Sequence, residues 1–150
     1  MAATMADTPL RLSMTTTTSE REYFFEVEPV PASRPRVSKW GTYYGKRYEK
    51  FRREMREVLR QYPELPLAGP LAVWLEFHIP PPKTTKREWP RGDVDNFIKG
   101  PLDSMTSHGG FWNDDDQIVF IKATKVFTKE GQPNGIRLRY RRVGRDSSAM

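Results

Sequence analysis

Six of the eight aspartates in this 150-residue chain lie in one short segment, between Asp93 and Asp116, and that segment contains no glutamate. Asp93 and Asp95 flank a single residue, and Lys99 follows Asp95 by four positions. Residues four apart lie on the same side of a helix. If the segment is helical, two carboxylates and one ammonium group therefore share one locality.

Two further features extend this acidic cluster. Asp103 lies one helical turn beyond Lys99, and three consecutive aspartates at 114–116 precede a segment typical of a strand. A strand that pairs beside the helix would bring a third carboxylate toward the first two. Like charges within a few ångströms of one another are unfavourable unless a cation compensates. So many aspartates in a small volume therefore indicate a divalent cation.

Mg²⁺ suits such a cluster, because it prefers oxygen ligands and is bound by carboxylates together with substrate phosphates. Two ions roughly 4 Å apart would stabilise the attacking water and the leaving 3′ oxygen of a phosphodiester. The predicted chemistry is metal-assisted hydrolysis without a Ser or Cys nucleophile. The chain has no cysteine and two histidines, which excludes a thiolate zinc site and disfavours a zinc enzyme.

The same residues also have a purely structural interpretation. Asp93 can cap a helix, Lys99 can pair with Asp95 on the surface, and an aspartate run before a strand is often a solvated turn. A calcium loop of the EF-hand type is excluded. Counting from Asp93, such a loop needs Gly and Glu where this chain has Ile98 and Ser104.

The elements that must position these aspartates follow from hydrophobic periodicity. Helical spacing predicts one helix from about Lys46 to Tyr62 and another that starts after Asp93 and runs to about Ser107. Pro101 is expected to kink or delay the second helix. Period-two alternation and β-branched or aromatic composition predict strands at 23–28, 71–79, 118–127 and 136–143.

The order β-α-β-α-β-β predicts an α+β fold, a two-layer domain with helices packed on a small mixed sheet. We expect this domain over residues 22–144, a disordered leader over 1–21 and a disordered tail over 145–150. No apolar run approaches the roughly 18 residues that a membrane span needs. A cytoplasmic protein with no membrane partner is therefore expected.

The net charge of +6 indicates a polyanionic partner, because cations that neutralise phosphates release counterions. Between Arg34 and Arg60, ten Lys or Arg residues stand against three Glu, so the surplus is localised. Such cations contact phosphates without reading bases. The candidates for these contacts are Arg34, Arg36, Lys39, Lys46, Arg47 and Lys50.

One pattern in the acidic segment resembles the RusA family of Holliday junction resolvases, which are crossover junction endodeoxyribonucleases. The pattern is Asp-x-Asp-Asn-x-x-Lys at 93–99, an Asp four residues later, and then paired aspartates followed by Gln117. The resemblance is strong over 93–117 and looser over 24–79.

The resemblance implies a magnesium-dependent, homodimeric endonuclease, with Mn²⁺ as a substitute metal. Such an enzyme nicks two strands of a four-way DNA junction symmetrically, in recombination and repair. A bacterial or bacteriophage origin is implied in the same way.

The resemblance also assigns roles to individual residues. Asp93, Asp95 and Asp115 match the catalytic, metal-binding aspartates, and Lys99 matches the catalytic lysine. Lys99 then either orients the attacking water or stabilises charge on the transition state. Supporting positions are expected at Asn96, Asp103 and Asp114.

Two other functions stay open on the sequence alone. A non-catalytic protein that binds junctions or single strands would explain the basic residues equally well. It would not explain the aspartates, because carboxylates near a phosphate-binding surface weaken binding unless a metal intervenes. A metal-dependent nuclease acting on flaps or other branched DNA would share the chemistry and differ in substrate.

Overall fold

A computed structural model describes residues 20–43, 45–106 and 110–144. The first 19 residues of the predicted leader and the predicted tail lie outside this description. In chain order the elements are β1 (Arg21–Phe25), β2 (Arg36–Ser38), β3 (Gly41–Tyr43), α1 (Lys46–Leu59), β4 (Leu71–Ile79), α2 (Val94–Ser104), a 3-10 turn (Asp115–Gln117), β5 (Ile118–Phe127) and β6 (Gly135–Arg142). Neither helix has the length and apolar character required to cross a membrane.

Four of the strands form one sheet in the order β1, β6, β4, β5. β6 pairs antiparallel with both β1 and β4, whereas β4 and β5 run parallel. Parallel neighbours need a crossover connection, and α2 provides it. The N-terminus of α2 therefore lies at the end of β4, and its C-terminus lies near the start of β5. The mixed sheet and the α+β fold agree with the prediction.

Both helices pack on one face of the sheet, which makes the second layer. Leu75 and Phe77 of β4 are buried on this face, and the Phe77 ring lies 5.6 Å from the ring of Phe97 in α2. Phe51 and Met55 of α1 belong to the same core. Within the described residues, no helix covers the other face of the sheet.

The two helices approach closely at Gly100 of α2. A Cβ atom there would lie 2.9 Å from Phe51 and 3.2 Å from Tyr48 of α1. Pro101 follows at a buried position, and α2 continues through it to Ser104 instead of ending. The predicted end of this helix, Ser107, lies outside the described residues.

Several element bounds differ from the predictions, and β6 lies one residue earlier than predicted at both ends. α1 ends at Leu59, before the predicted Tyr62, because Pro63 follows and disfavours helical backbone in the residue before it. β1 starts earlier than predicted and ends at Phe25, the last residue that pairs with β6. The segment predicted as a loop around Lys39 contains the short antiparallel hairpin of β2 and β3.

Candidate active site

The N-terminus of α2 presents two carboxylates to solvent. Asp93 occupies the N-cap position, but its side chain makes no capping hydrogen bond. Asp95 lies in the first turn, and both residues are exposed. Within the described residues, neither carboxylate has a hydrogen bond or an ion pair. The capping interpretation of the Asp93 side chain is therefore wrong, and its oxygens remain available to a ligand.

Lys125 of β5 fixes the loop that leads into Asp93. Its ammonium group donates a hydrogen bond of 2.6 Å to the carbonyl oxygen of Pro90 and a second to that of Gly92. Gly92 has φ +96°, and a Cβ atom there would lie 2.9 Å from the ring of Phe97. Both observations require glycine at this position. The aspartate pair thus starts from an anchored loop.

Lys99 and Asp103 continue along the solvent side of α2. Their spacing of four from Asp95 places the three side chains in one row, and all three residues are exposed. No ion pair joins Lys99 to Asp95 in the described part of the chain. The surface-pair interpretation of Lys99 is therefore not supported, and its ammonium group is available.

The aspartate run lies at the other end of α2, in the 3-10 turn. Asp114 caps this turn, because its carboxylate accepts a hydrogen bond of 2.9 Å from the backbone of Asp116. The carboxylate of Asp115 is half-buried and accepts hydrogen bonds from the Thr106 hydroxyl and, at 3.3 Å, from the Trp112 indole. Asp115 is thus held in one orientation.

Gln117 clamps the acidic turn to the segment before β4. Its Oε1 accepts hydrogen bonds from the backbone of Asn113 at 2.8 Å and of Asp114 at 2.9 Å. Its Nε2 donates to the carbonyl oxygens of Leu67 at 2.9 Å and Gly69 at 2.8 Å. These four bonds use the whole capacity of the amide. Gln117 belongs to the motif, but its role was not predicted from the sequence.

The length of α2 separates the two acidic ends. Asp95 and Ser104 are nine residues apart, which corresponds to about 13 Å of helix rise, and Thr106, which holds Asp115, lies further on. Ligand oxygens lie about 2 Å from Mg²⁺, so Asp95 and Asp115 of one chain cannot bind the same ion. In line with this, no group of three or more His, Asp or Glu side chains that could hold a metal occurs within the described residues.

The basic loop borders the Asp93 end of α2. The backbone N–H of Ala32 donates a hydrogen bond of 2.8 Å to the carbonyl oxygen of Asn96. The hydroxyl of Ser33 accepts a hydrogen bond of 3.4 Å from Gly45, the residue before α1. The loop that carries Arg34 therefore bridges the N-termini of both helices. The backbone carbonyl of Asn96 thus holds this loop against α2.

Most of the predicted phosphate contacts face solvent. The side chain of Arg36 is not among the described side chains. Arg47 forms an ion pair of 3.4 Å with Glu28, and Lys50 one of 3.9 Å with Glu54. Such exposed pairs are weak, so both cations can exchange their partners for phosphates. The exposed members of the predicted set are Arg34, Lys39, Lys46, Arg47 and Lys50.

The role of Lys125 was not predicted from the sequence, although a signal was present. Every second residue of β5 faces the helices. Lys125 is one of these residues, because it pairs in register with the buried Phe77 of β4. A lysine in a core-facing register is unusual unless its charge has a partner. Here the partners are the two carbonyl groups of the loop before Asp93.

The fold and the site together define a class of protein. The α+β domain presents two exposed carboxylates beside a basic loop, and carboxylates and cations placed in this way are typical of enzymes that act on phosphodiesters.

The family profile described as endodeoxyribonuclease RusA matches residues 26–139, more than half of the chain and all of the segment from Asp93 to Gln117. This chain belongs to the RusA family of endodeoxyribonucleases. The resemblance found in the acidic segment is thereby confirmed. No curated protein matches the chain.

Proposed function

We propose that this chain is a magnesium-dependent endonuclease that nicks four-way DNA junctions as a homodimer, in recombination and repair. One observation carries the proposal. The carboxylates of Asp93 and Asp95 face solvent at the N-terminus of α2 with no protein partner in the described residues, beside the loop of Arg34. Membership of an endodeoxyribonuclease family supports this proposal.

The donor set at this end of α2 fits Mg²⁺. Asp93 and Asp95 supply carboxylate oxygens, and the exposed position leaves room for waters and substrate phosphate, the usual remaining ligands. When bound, Mg²⁺ supplies Lewis-acid stabilisation of phosphoryl oxygens and lowers the pKa of a coordinated water. Mn²⁺ takes carboxylate and water ligands as well, and we expect it to substitute.

The neighbouring cations have distinct tasks in this proposal. The Lys99 ammonium group has three donors and no acceptor, so it is suited to donate to a phosphate oxygen as charge develops there. Arg34 and Lys46 hold the DNA backbone through phosphate contacts, which position the strand without reading its sequence.

Paired nicks require two sites, and the outer edge of β5 supports self-association. β5 is the terminal strand of the sheet, so the main chain along its outer edge has no neighbouring strand within the described residues. Val119 on this strand is 63% exposed, and Ile121 and Val126 are exposed as well. Long apolar edges of this kind pair readily with another chain. Two copies of β5 that pair antiparallel would form one continuous sheet across a two-fold axis.

Antiparallel pairing of β5 would also bring the separated aspartates together. Lys125, near the end of β5, holds the loop before Asp93, whereas Asp115 lies three residues before the start of the strand. In an antiparallel pair the start of one strand meets the end of the other. Asp115 of the partner subunit would then approach Asp93 and Asp95, and each complete site would take carboxylates from both copies.

The test uses the full chain with labelled four-way junction, linear duplex and flap DNA, in Mg²⁺ or in EDTA. We expect nicking of the junction in Mg²⁺ alone. Asp95→Asn should bind junctions as well as the wild type and cut them at least about a hundredfold more slowly. Glu57→Gln, which changes an exposed carboxylate on α1, should cut at the wild-type rate.

Each alternative function gives a distinct result in the same experiment. Preferential cleavage of the flap would replace the junction as substrate and keep the metal chemistry. Absence of cleavage on every DNA in Mg²⁺, with junction binding intact, would overturn the nuclease and leave a non-catalytic binder.

A further inference from the structure

The face of the sheet that α1 and α2 leave uncovered has two dissimilar halves. Near the start of β4 and β5 lie Trp74, Phe120, Lys122, Arg139 and Arg141, which we call the basic-aromatic half. These side chains lie on one face, because residues that pair in register point to the same side of a sheet. Trp74 pairs with Lys122 and Arg139, and Ala72, two residues earlier, pairs with Phe120 and Arg141.

Charge is in surplus on this half. Within the described residues, Lys122 and Arg141 have no ion pair, and Arg139 has one, at 3.4 Å, with Glu20.

On the other half of the same face the arginine is paired with carboxylates, and we call it the paired half. Arg137 forms ion pairs with Glu22 at 3.2 Å and Glu76 at 3.3 Å. The uncovered face thus concentrates its available cations around Trp74.

The aromatic side chains of this half form a wall beside the cations. The rings of Trp74 and Phe120 lie 5.5 Å apart, inclined at 53°. The Arg139 guanidinium lies 4.1 Å from the centre of the Trp74 ring, a close cation–π contact. Phe120 is 48% exposed and so presents ring surface to solvent.

A groove of about 210 Å³ beside Trp74 is lined by the cations Lys122, Arg137 and Arg139 and by the carboxylate of Glu76, so it borders both halves of the face. The exposed ring of Phe120 and the cations on the same face suit an unpaired nucleobase and its phosphates. Proteins that bind single strands without sequence preference combine stacking rings with a basic track in this way.

We propose that the basic-aromatic half binds an unpaired DNA strand, with a base stacked on Phe120 and phosphates held by Lys122 and Arg141. The basic-aromatic half lies next to the turn that carries Asp115, because β5 starts directly after that turn. The inference rests on the proposed function only in taking DNA as the substrate. It adds a second contact surface, on the opposite side of the sheet from α2.

The experiment measures binding of a fluorescent 20-nucleotide oligothymidine to the full chain in EDTA, so that cleavage plays no part. Loss of stacking on one base costs about fivefold to a hundredfold in affinity. We expect losses of that size for both Phe120→Ala and Phe120→Leu, since Leu keeps the apolar area and removes the ring. Phe120→Trp should bind at least as tightly as the wild type. Circular dichroism checks that each variant is folded.

A second pair of variants tests the charges. Lys122→Gln combined with Arg141→Gln should reduce the slope of log affinity against log salt by about 1.4, since each single-strand phosphate contact contributes about 0.7. Lys129→Gln, which changes an exposed residue beside the paired half, should leave both affinity and slope unchanged.

Two results would overturn the inference. One is unchanged oligothymidine affinity in both Phe120→Ala and Phe120→Leu. The other is that poly-glutamate competes as well as oligothymidine, which would mark a general surface for acidic partners. Junction cleavage in Mg²⁺ is measured separately. If the wild type cleaves junctions but substitution of Phe120 leaves oligothymidine affinity unchanged, this inference is wrong and the nuclease proposal stands. If substitution of Phe120 lowers the affinity but the wild type does not cleave, the nuclease proposal is wrong and this inference stands.

Discussion

The ammonium group of Lys125 donates a hydrogen bond of 2.6 Å to the carbonyl oxygen of Pro90, which ties the edge strand β5 to the loop before Asp93. A second hydrogen bond from the same group reaches Gly92, the residue next to Asp93. A charged group donating to two carbonyls makes stronger bonds than a neutral donor does. Lys125 therefore acts as a positioning residue for the aspartate pair.

Replacing Lys125 by Met should free this loop and weaken metal binding by the Asp93 and Asp95 carboxylates. Loss of an outer-shell partner of a metal site costs about tenfold to a hundredfold in affinity or activity. We expect the Mg²⁺ concentration for half-maximal junction cleavage to rise by that factor. Lys125→Arg should restore most of the loss because it retains the donors. Lys129→Met is the matched control. A wild-type Mg²⁺ titration for Lys125→Met would contradict this role.

Gln117→Leu should destabilise the domain as well as the acidic turn. The substitution removes four hydrogen bonds, two within the turn and two that join the turn to the segment before β4. At about 1 kcal/mol for each bond, the free energy of unfolding should fall by about 2 to 4 kcal/mol. Urea unfolding measures this change. Gln132→Leu, at an exposed position after β5, should have little effect, and equal midpoints for the two variants would show that the clamp is unimportant.

Sequence patterns located most elements because local periodicity decides them. β4 and β5 have the predicted bounds, since alternating apolar residues are flanked by prolines or by the aspartate turn. The β2–β3 hairpin was missed because three-residue strands carry almost no periodicity.

The site was predicted less completely, and the reason is non-local pairing. The motif predicted Asp93 and Asp95 as ligands, but it carried no information on the direction in which β4 and β5 pair. Parallel pairing makes α2 a crossover, which keeps Asp115 at the far end of that helix. The supporting bonds of Thr106 and Lys125 also depend on this pairing.

Alkaline pH should destabilise the domain through Tyr23. Burial, and then its hydrogen bond to Glu64, raises the pKa of Tyr23 above its ordinary value. Because the folded pKa exceeds the unfolded value of about 10, this stabilisation is fully present below about pH 10 and is lost as pH rises through the folded pKa. Burial raises the pKa of Tyr140 too, although its hydrogen bond from Arg21 opposes the shift.

Tyr23→Phe cannot ionise at this position and should show the effect directly. Its melting temperature should fall less steeply than that of the wild type above about pH 10. At neutral pH the variant should be about 1 kcal/mol less stable, since the hydrogen bond to Glu64 is gone. Melting temperatures at a series of pH values test both statements. Parallel curves above pH ~10 would exclude Tyr23 as the source of the alkaline loss.

Val119→Lys should weaken self-association if the outer edge of β5 is the dimer interface. A two-fold axis through this edge would bring two introduced lysines close together, and like charges across paired strands are destabilising. We expect the dissociation constant from sedimentation velocity to rise at least about tenfold. Val37→Lys makes the same change at an exposed hairpin residue and should not alter association. Equal weakening by both variants would place the interface elsewhere.

Mixing two inactive variants tests whether a complete site takes residues from two copies. Asp95→Asn and Asp115→Asn should each be inactive alone, because every site in either homodimer lacks one carboxylate. In a mixed dimer, the wild-type Asp95 of one chain can meet the wild-type Asp115 of the other, so one site in two is intact. We expect the mixture to recover single nicks but not paired cuts in a four-way junction. If both carboxylates belong to one chain's site, each site of the mixed dimer keeps a defect and the mixture stays inactive. The separation of about 13 Å along α2 favours recovery.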